Sequence, residues 1–118
     1  MLELTVDGID RLPPGRTLDN AIGEVILGWK PHPLDPKPAP ACSTEEALAD
    51  KMLALLQPKL PPGHGLHEHP LRLGVRVALV DEQRGEPAIE VEGRTRAHAL
   101  CRFALHLALR YPEIRKDA

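Results

Sequence analysis

The stretch Arg94-Thr95-Arg96-Ala97-His98-Ala99-Leu100-Cys101-Arg102-Phe103-Ala104-Leu105-His106-Leu107-Ala108-Leu109-Arg110 decides how this chain folds. Thr95 reads as the N-cap of a helix, because a threonine hydroxyl can accept from an amide in the first turn. Pro112 cannot continue a helix, so the element ends before it. Leu100, Ala104, Leu107 and Tyr111 recur on one face, and His98, Arg102, His106 and Arg110 repeat every four residues on another. Leu105 and Leu109 do not fit the first face. The apolar arc spans more than half the circumference, wider than one sheet would cover. Either a second layer or another subunit must cover the excess. A two-strand hairpin leaves exposed edges and little core, which favours a subunit.

That hairpin is read just upstream. Leu71 to Val80 alternates, with Leu71, Leu73, Val75, Val77 and Leu79 on one face and Arg72 and Arg76 on the other. Ala88 to Glu92 forms a second strand, with Ile89 and Val91 inward and Glu90 and Glu92 outward. Asp81 to Pro87 suits the connecting loop. Antiparallel pairing then sets Arg72 and Arg76 near Glu90 and Glu92. Residues 58–70, with Gly63, Gly65 and three histidines, read as a Gly/Pro/His loop.

Further upstream, Leu18, Ile22, Val25, Ile26 and Trp29 recur at helical spacing, with Thr17 as N-cap and Asp19 in the first turn. Trp29 falls on the buried stripe, at the frayed last turn. Five prolines between Lys30 and Pro40 make residues 30–42 a stiff, extended connector. Ser43-Thr44-Glu45-Glu46 is a capping-box pattern, opening a helix that runs to about Gln57 before Pro58 stops it. Leu2, Leu4 and Val6 alternate with polar residues, so residues 1–12 read as an extra strand or a tail. Together these elements predict an α+β fold, a small antiparallel sheet with three helices, in one domain spanning 1–118.

The balance of charge narrows the partners. A net charge of −2 argues against a nucleic-acid polymer, which calls for a strong basic excess. Met1 to Pro58 carries 5 basic and 9 acidic residues, and Lys59 to Ala118 carries 10 and 8, so an anion-binding surface is expected in the second half. Aromatic residues are 3% of the chain, so the core must rest on Leu, Val, Ile and Ala. Cys42 and Cys101 make no disulfide framework. The first residues lack a signal-peptide pattern, and no apolar stretch approaches the ~20 residues of a membrane span, which together predict a cytoplasmic protein.

Four groups of residues could carry chemistry. Trp29 could stack on a base, completed by Lys30 and His32, or simply pack in the core. Arg94, Thr95 and Arg96 at a helix N-terminus could cradle phosphate, and Arg102 could extend an anion-contacting stripe. Ser43 and Thr44 form a second, less basic helix N-terminus. His64, His67 and His69 with Glu68 could ligate zinc, although the spacing matches no established zinc motif. There is no nucleophile elbow, phosphate-binding glycine loop or paired-carboxylate motif, so no catalytic residue, metal or cofactor is expected.

Three segments, "IDRLPPGRTLDNAIGEVILGWK", "ACSTEEALADKMLALL" and "RTRAHALCRFALHLAL", carry a family resemblance. The chain resembles the phage ABA sandwich domain family. The matching positions are Pro14, Gly15, Arg16, Leu18, Asp19, Gly28 and Trp29, then Ser43 and Thr44, then Ala97, Ala99, Cys101, Arg102, Ala104 and Leu105. Cys42 replaces the tyrosine before Ser-Thr, and the middle of the chain lacks the family's tryptophans. The resemblance implies a helix–sheet–helix sandwich, phage or prophage origin and action inside a bacterial host. By analogy it points to a non-enzymatic protein that counters host defence by sequestering a nucleotide signal. The expectation is a homo-oligomer holding a small anionic, nucleotide-like ligand. Trp29, Lys30 and His32 would form its stacking platform, Arg94, Arg96 and Arg102 would neutralise phosphate, and Ser43 or Thr44 would donate hydrogen bonds. The alternatives are a protein-interaction module using the proline connector and Leu105/Leu109, and a metal-dependent hydrolase using His64, His67 and His69.

Overall fold

The helix that opens at Thr95 is the centre of the molecule. In the computed structural model, which describes residues 2–118, the Thr95 hydroxyl accepts from the His98 amide at 3.1 Å. The helix itself, here α4, spans Arg96–Arg110. Ten of its fifteen residues are buried, more than one covering layer could achieve. Three strands lie on one side: β1 (His64–Leu71), β2 (Gly74–Asp81) and β3 (Glu86–Gly93), antiparallel in the order β1-β2-β3. Register pairs Val77 with Val91 and Leu79 with Ile89, and all four are buried in the core that α4 shares with the sheet. Gly93 admits the closest approach, since a Cβ there would collide with the Ala99 backbone.

The rest of the chain wraps the other sides of α4. Helix α1 (Val6–Arg11) supplies Ile9, α2 (Arg16–Ile22) supplies Leu18 and Ile22, and a π-helical turn (Gly23–Leu27) supplies Val25. Helix α3 (Glu46–Leu56) supplies Met52 and Leu56, and a 3-10 turn (Gln57–Lys59) follows it. Leu105 is fully buried and Leu109 is half-buried against the same core. The wide apolar arc is therefore covered within the chain. The need for a second subunit, inferred from that arc, does not arise, because a third strand and three further helices supply the missing area.

The α+β class and the antiparallel sheet are as expected, but the layers run sheet, α4, remaining helices. The outer sheet face is polar: Arg76 Nε lies 3.2 Å from Glu90 and Arg76 Nη2 lies 3.0 Å from Glu92. A helix covering that face, as a helix–sheet–helix sandwich requires, is not among the described contacts.

Several local readings change for physical reasons. Residues 58–70 are not all loop, because their second half is β1; its Gly65 and Pro70 suit an edge strand, where a missing donor costs nothing. Leu71 to Val80 is not one strand. Arg72 and Leu73 form the turn between β1 and β2, leaving Leu73 89% exposed. The segment 1–12 contains α1 rather than a strand, with the Thr5 hydroxyl accepting from the Gly8 amide at 3.0 Å. Gly15, not Thr17, is the N-cap of α2. The capping box is not formed: α3 starts at Glu46 behind Glu45, with no side-chain cap, because Ser43 is bonded elsewhere.

Candidate functional site

Trp29 owes its position to a wide helical turn. The α2 helix loosens into the π turn, Gly28 ends it in the left-handed region (φ 73°), and the Trp29 amide donates back to the Gly23 carbonyl at 2.7 Å. Gly23 makes room for the ring: a Cβ there would lie 3.1 Å from Trp29 Cε3 and 3.0 Å from Ala39 Cβ. The indole N–H donates to the Lys37 carbonyl at 3.2 Å, so the proline segment folds around the ring instead of running straight past it. Inside that segment the Leu34 amide donates to His32 Nδ1 at 3.1 Å.

The half-buried ring lines two adjoining hollows. One, about 600 Å³, is bounded by Leu2, Glu24, Trp29, Lys30, Pro31, Lys116, Asp117 and Ala118. The other, about 390 Å³, is bounded by Trp29, Lys30, His32, Asp35 and Lys37. Lys116 is tied in by its amide, which donates to the Val25 carbonyl at 2.8 Å. Asp117 is already engaged by Arg115 at 2.8 Å, and that guanidinium holds its carboxyl down to about 2. Lys37 pairs loosely with Asp35 at 3.6 Å. Among the described residues no carboxylate lies within ion-pair distance of Lys30 or Lys116.

Trp29, Lys30 and His32 are thus brought together, and the other expected site residues are not among those lining these hollows. Ser43 is fully buried; its amide and hydroxyl both donate to Asp19 Oδ1, at 2.8 and 2.6 Å, and its oxygen accepts from the Gly15 amide at 2.9 Å. Thr44 is exposed and bonds only the Ala41 carbonyl at 3.4 Å. Arg96 forks onto Glu68 and Asp50, each at 2.6 Å, and these two acids hold its guanidinium above the usual range; it also reaches Glu46 at 3.4 Å. Arg102 donates to the Leu12 carbonyl from Nε (3.1 Å) and Nη2 (2.9 Å), and to the Glu92 carbonyl from Nη1 (2.8 Å). Buried His98 joins that clamp. Its Nδ1 accepts from the Arg94 amide at 2.9 Å, so Nε2 carries the proton it donates to Leu12 at 2.8 Å. The side chain of Arg94 stays exposed.

The histidine cluster is split by strand geometry. His67 and His69 share the outer face of β1, ring centroids 6.4 Å apart, with His67 Nε2 3.0 Å from Glu82. His64 belongs to the opposite face by alternation and bonds the Pro62 carbonyl. Among the described residues no three His, Cys, Asp or Glu side chains are grouped to hold a metal ion. The two buried thiols are free; burial pushes Cys42 up to about 11 and Cys101 further still, against the thiolate a nucleophile needs. Among the described residues no helix is long and apolar enough to cross a membrane.

No family model, curated protein or solved structure matches this chain. The likeness to the phage ABA sandwich domain therefore rests on the motif residues alone.

Proposed function

We propose that this protein is a non-enzymatic binder of a small, planar, anionic ligand of the nucleotide class, held in the groove around Trp29. One observation carries the reading: the lone tryptophan is pinned by the Lys37 carbonyl and flanked by Lys30 and Lys116, which among the described residues have no carboxylate within ion-pair distance. A base stacked on the indole contributes about 1–3 kcal/mol, and the ammonium groups draw in the charged end. His32 and Lys37 border the second hollow and can contact a longer ligand. Ser43, Arg96 and Arg102 serve the fold in this reading, since their donors are already used. The groove is built by one copy of the chain, so a homo-oligomer is not required.

Binding without turnover is also what sequestration of a nucleotide signal demands. That is the anti-defence role that the phage resemblance implies. Leu34, 89% exposed on the proline segment, favours protein interaction as a second reading. Trp29 is the only tryptophan, so its fluorescence reports on the groove alone. Titration with nucleoside monophosphates, cyclic di- and trinucleotides and cyclic ADP-ribose isomers should quench or shift that emission for at least one of them. Unchanged emission and no calorimetric heat across the whole panel would remove the ligand-binding reading.

A further inference from the structure

The groove read as a site for an anion also holds an acid. Glu24 lines the larger hollow together with Trp29, Lys30 and Lys116. It stands on the π turn between buried Gly23 and Val25, so the wide turn that places the ring places this carboxylate too. The other acidic side chain of that hollow, Asp117, is engaged inside the protein: it bonds Arg115 at 2.8 Å and accepts from the Leu2 amide at 3.0 Å. Glu24 has no such partner. Among the described residues no lysine, arginine or histidine lies within ion-pair distance of its carboxylate. That holds even though the Lys116 amide bonds the carbonyl of the next residue, Val25, at 2.8 Å. Glu24 also lines the neighbouring apolar cleft, beside Leu4, Ile9 and Ala21, and no cation lines that cleft. One hollow thus presents an unpaired carboxylate and two unpaired ammonium groups, held apart.

An unpaired carboxylate opposes a bare anion, so it favours ligands that carry hydrogen-bond donors apart from their phosphate. Bases differ in this respect. The Watson–Crick edge of guanine sets N1–H beside the N2 amine, two parallel donors that match the two oxygens of a carboxylate. Adenine sets the N1 lone pair beside its N6 amine, so a carboxylate that meets the amine also faces a second acceptor. We propose that Glu24 is the base-reading residue of the groove and selects guanine over adenine, leaving Lys30 and Lys116 to the phosphate. The inference rests on the Trp29 reading, because the stacked base is what brings an edge to Glu24.

Trp29 emission and calorimetry follow titration with guanosine, inosine and adenosine 5′-monophosphates, which share their sugar and phosphate. The guanosine ester should bind roughly ten- to a hundredfold tighter than the adenosine ester, the discrimination of one bidentate contact. The inosine ester keeps N1–H and lacks the N2 amine, so its affinity should fall between the two. Glu24→Gln should bring the guanosine-to-adenosine ratio close to one, because the amide offers guanine a single acceptor and adenine N1 a donor. Glu3→Gln, which lines only the neighbouring cleft, should leave the ratio unchanged. Equal affinities in the parent protein, with emission quenched by both esters, would overturn the role of Glu24 and leave the groove reading intact. A guanine preference that survives Glu24→Gln undiminished would do the same. No heat and unchanged emission with all three esters overturns this inference as well, and the groove reading then stands or falls on the cyclic nucleotides and cyclic ADP-ribose isomers.

Discussion

Replacing Ser43 with alanine should destabilise the protein far more than loss of a helix cap. The Ser43 hydroxyl sits at a buried junction: it donates to the Asp19 carboxylate at 2.6 Å and accepts from the Gly15 amide at 2.9 Å. Hydrogen bonds to a charged group contribute about 1.5–3 kcal/mol, and a partly buried amide left without a partner costs about 1–3 kcal/mol. The Ser43 amide still bonds Asp19 in the variant, which softens the loss. A net cost of about 2–4 kcal/mol follows, a drop of roughly 10 °C in Tm for a chain of this size. Had Ser43 capped α3, the cost would be about 1 kcal/mol, and Glu46→Ala, which cannot reach back to the cap amide, would share it. Urea unfolding of Ser43→Ala, Asp19→Asn and the double variant measures the coupling directly. Exposed Thr44→Ala is the control and should stay within about 0.5 kcal/mol. A Ser43→Ala cost below 1 kcal/mol, matched by Glu46→Ala and without coupling to Asp19, would refute the junction.

Two further outcomes follow from the packing. Gly23→Ala places a methyl 3.1 Å from Trp29 Cε3 and 3.0 Å from Ala39 Cβ, so it should cost about 1–3 kcal/mol and shift tryptophan emission to the red; unchanged emission would mean that the ring does not lie on Gly23. Burial first, and then the nearby Arg102 and Arg94 charges, push the pKa of His98 below 6.5. The unfolded chain therefore takes up this proton before the folded one does, so the contribution is full above about pH 6.5 and is lost as pH falls through the lowered folded value. Unfolding free energies between pH 7.5 and 4.5 should fall less steeply for His98→Gln than for the parent, and parallel slopes would remove His98 from the acid response.

The sequence showed the central helix well and its surroundings poorly. Thr95, Pro112 and the wide apolar arc defined α4, because caps and periodicity are local properties. What covers the arc is not local. Leu18, Met52 and Leu79 reach it from three separate segments. β1 was hidden by its composition, since His64-Gly65-Leu66-His67-Glu68-His69-Pro70 is poor in β-branched residues and draws its order from pairing with β2. The break at Arg72–Leu73 was hidden for the opposite reason: alternation continues through the turn, although Leu73 points away from the core. At Ser43, a local capping pattern lost to a tertiary partner, Asp19, which lies on another helix and is itself buried.

The candidate site divides along the same line. Trp29, Lys30 and His32 are neighbours in sequence, and a π turn followed by a proline-rich bend keeps them neighbours in space. Arg96 and Arg102 looked like free cations because the carboxylates and carbonyls that absorb them come from α3, β1, β3 and the segment at Leu12. Conversely, Lys116 drew no notice as a single lysine, although it lines the groove and among the described residues has no acidic partner within ion-pair distance. Positive charge available to a ligand is therefore a difference between cations present and cations already paired. Counting along the chain supplies the first quantity, and only the fold supplies the second. That difference moves the expected anion site from the arginines at the start of α4 to the lysines around Trp29.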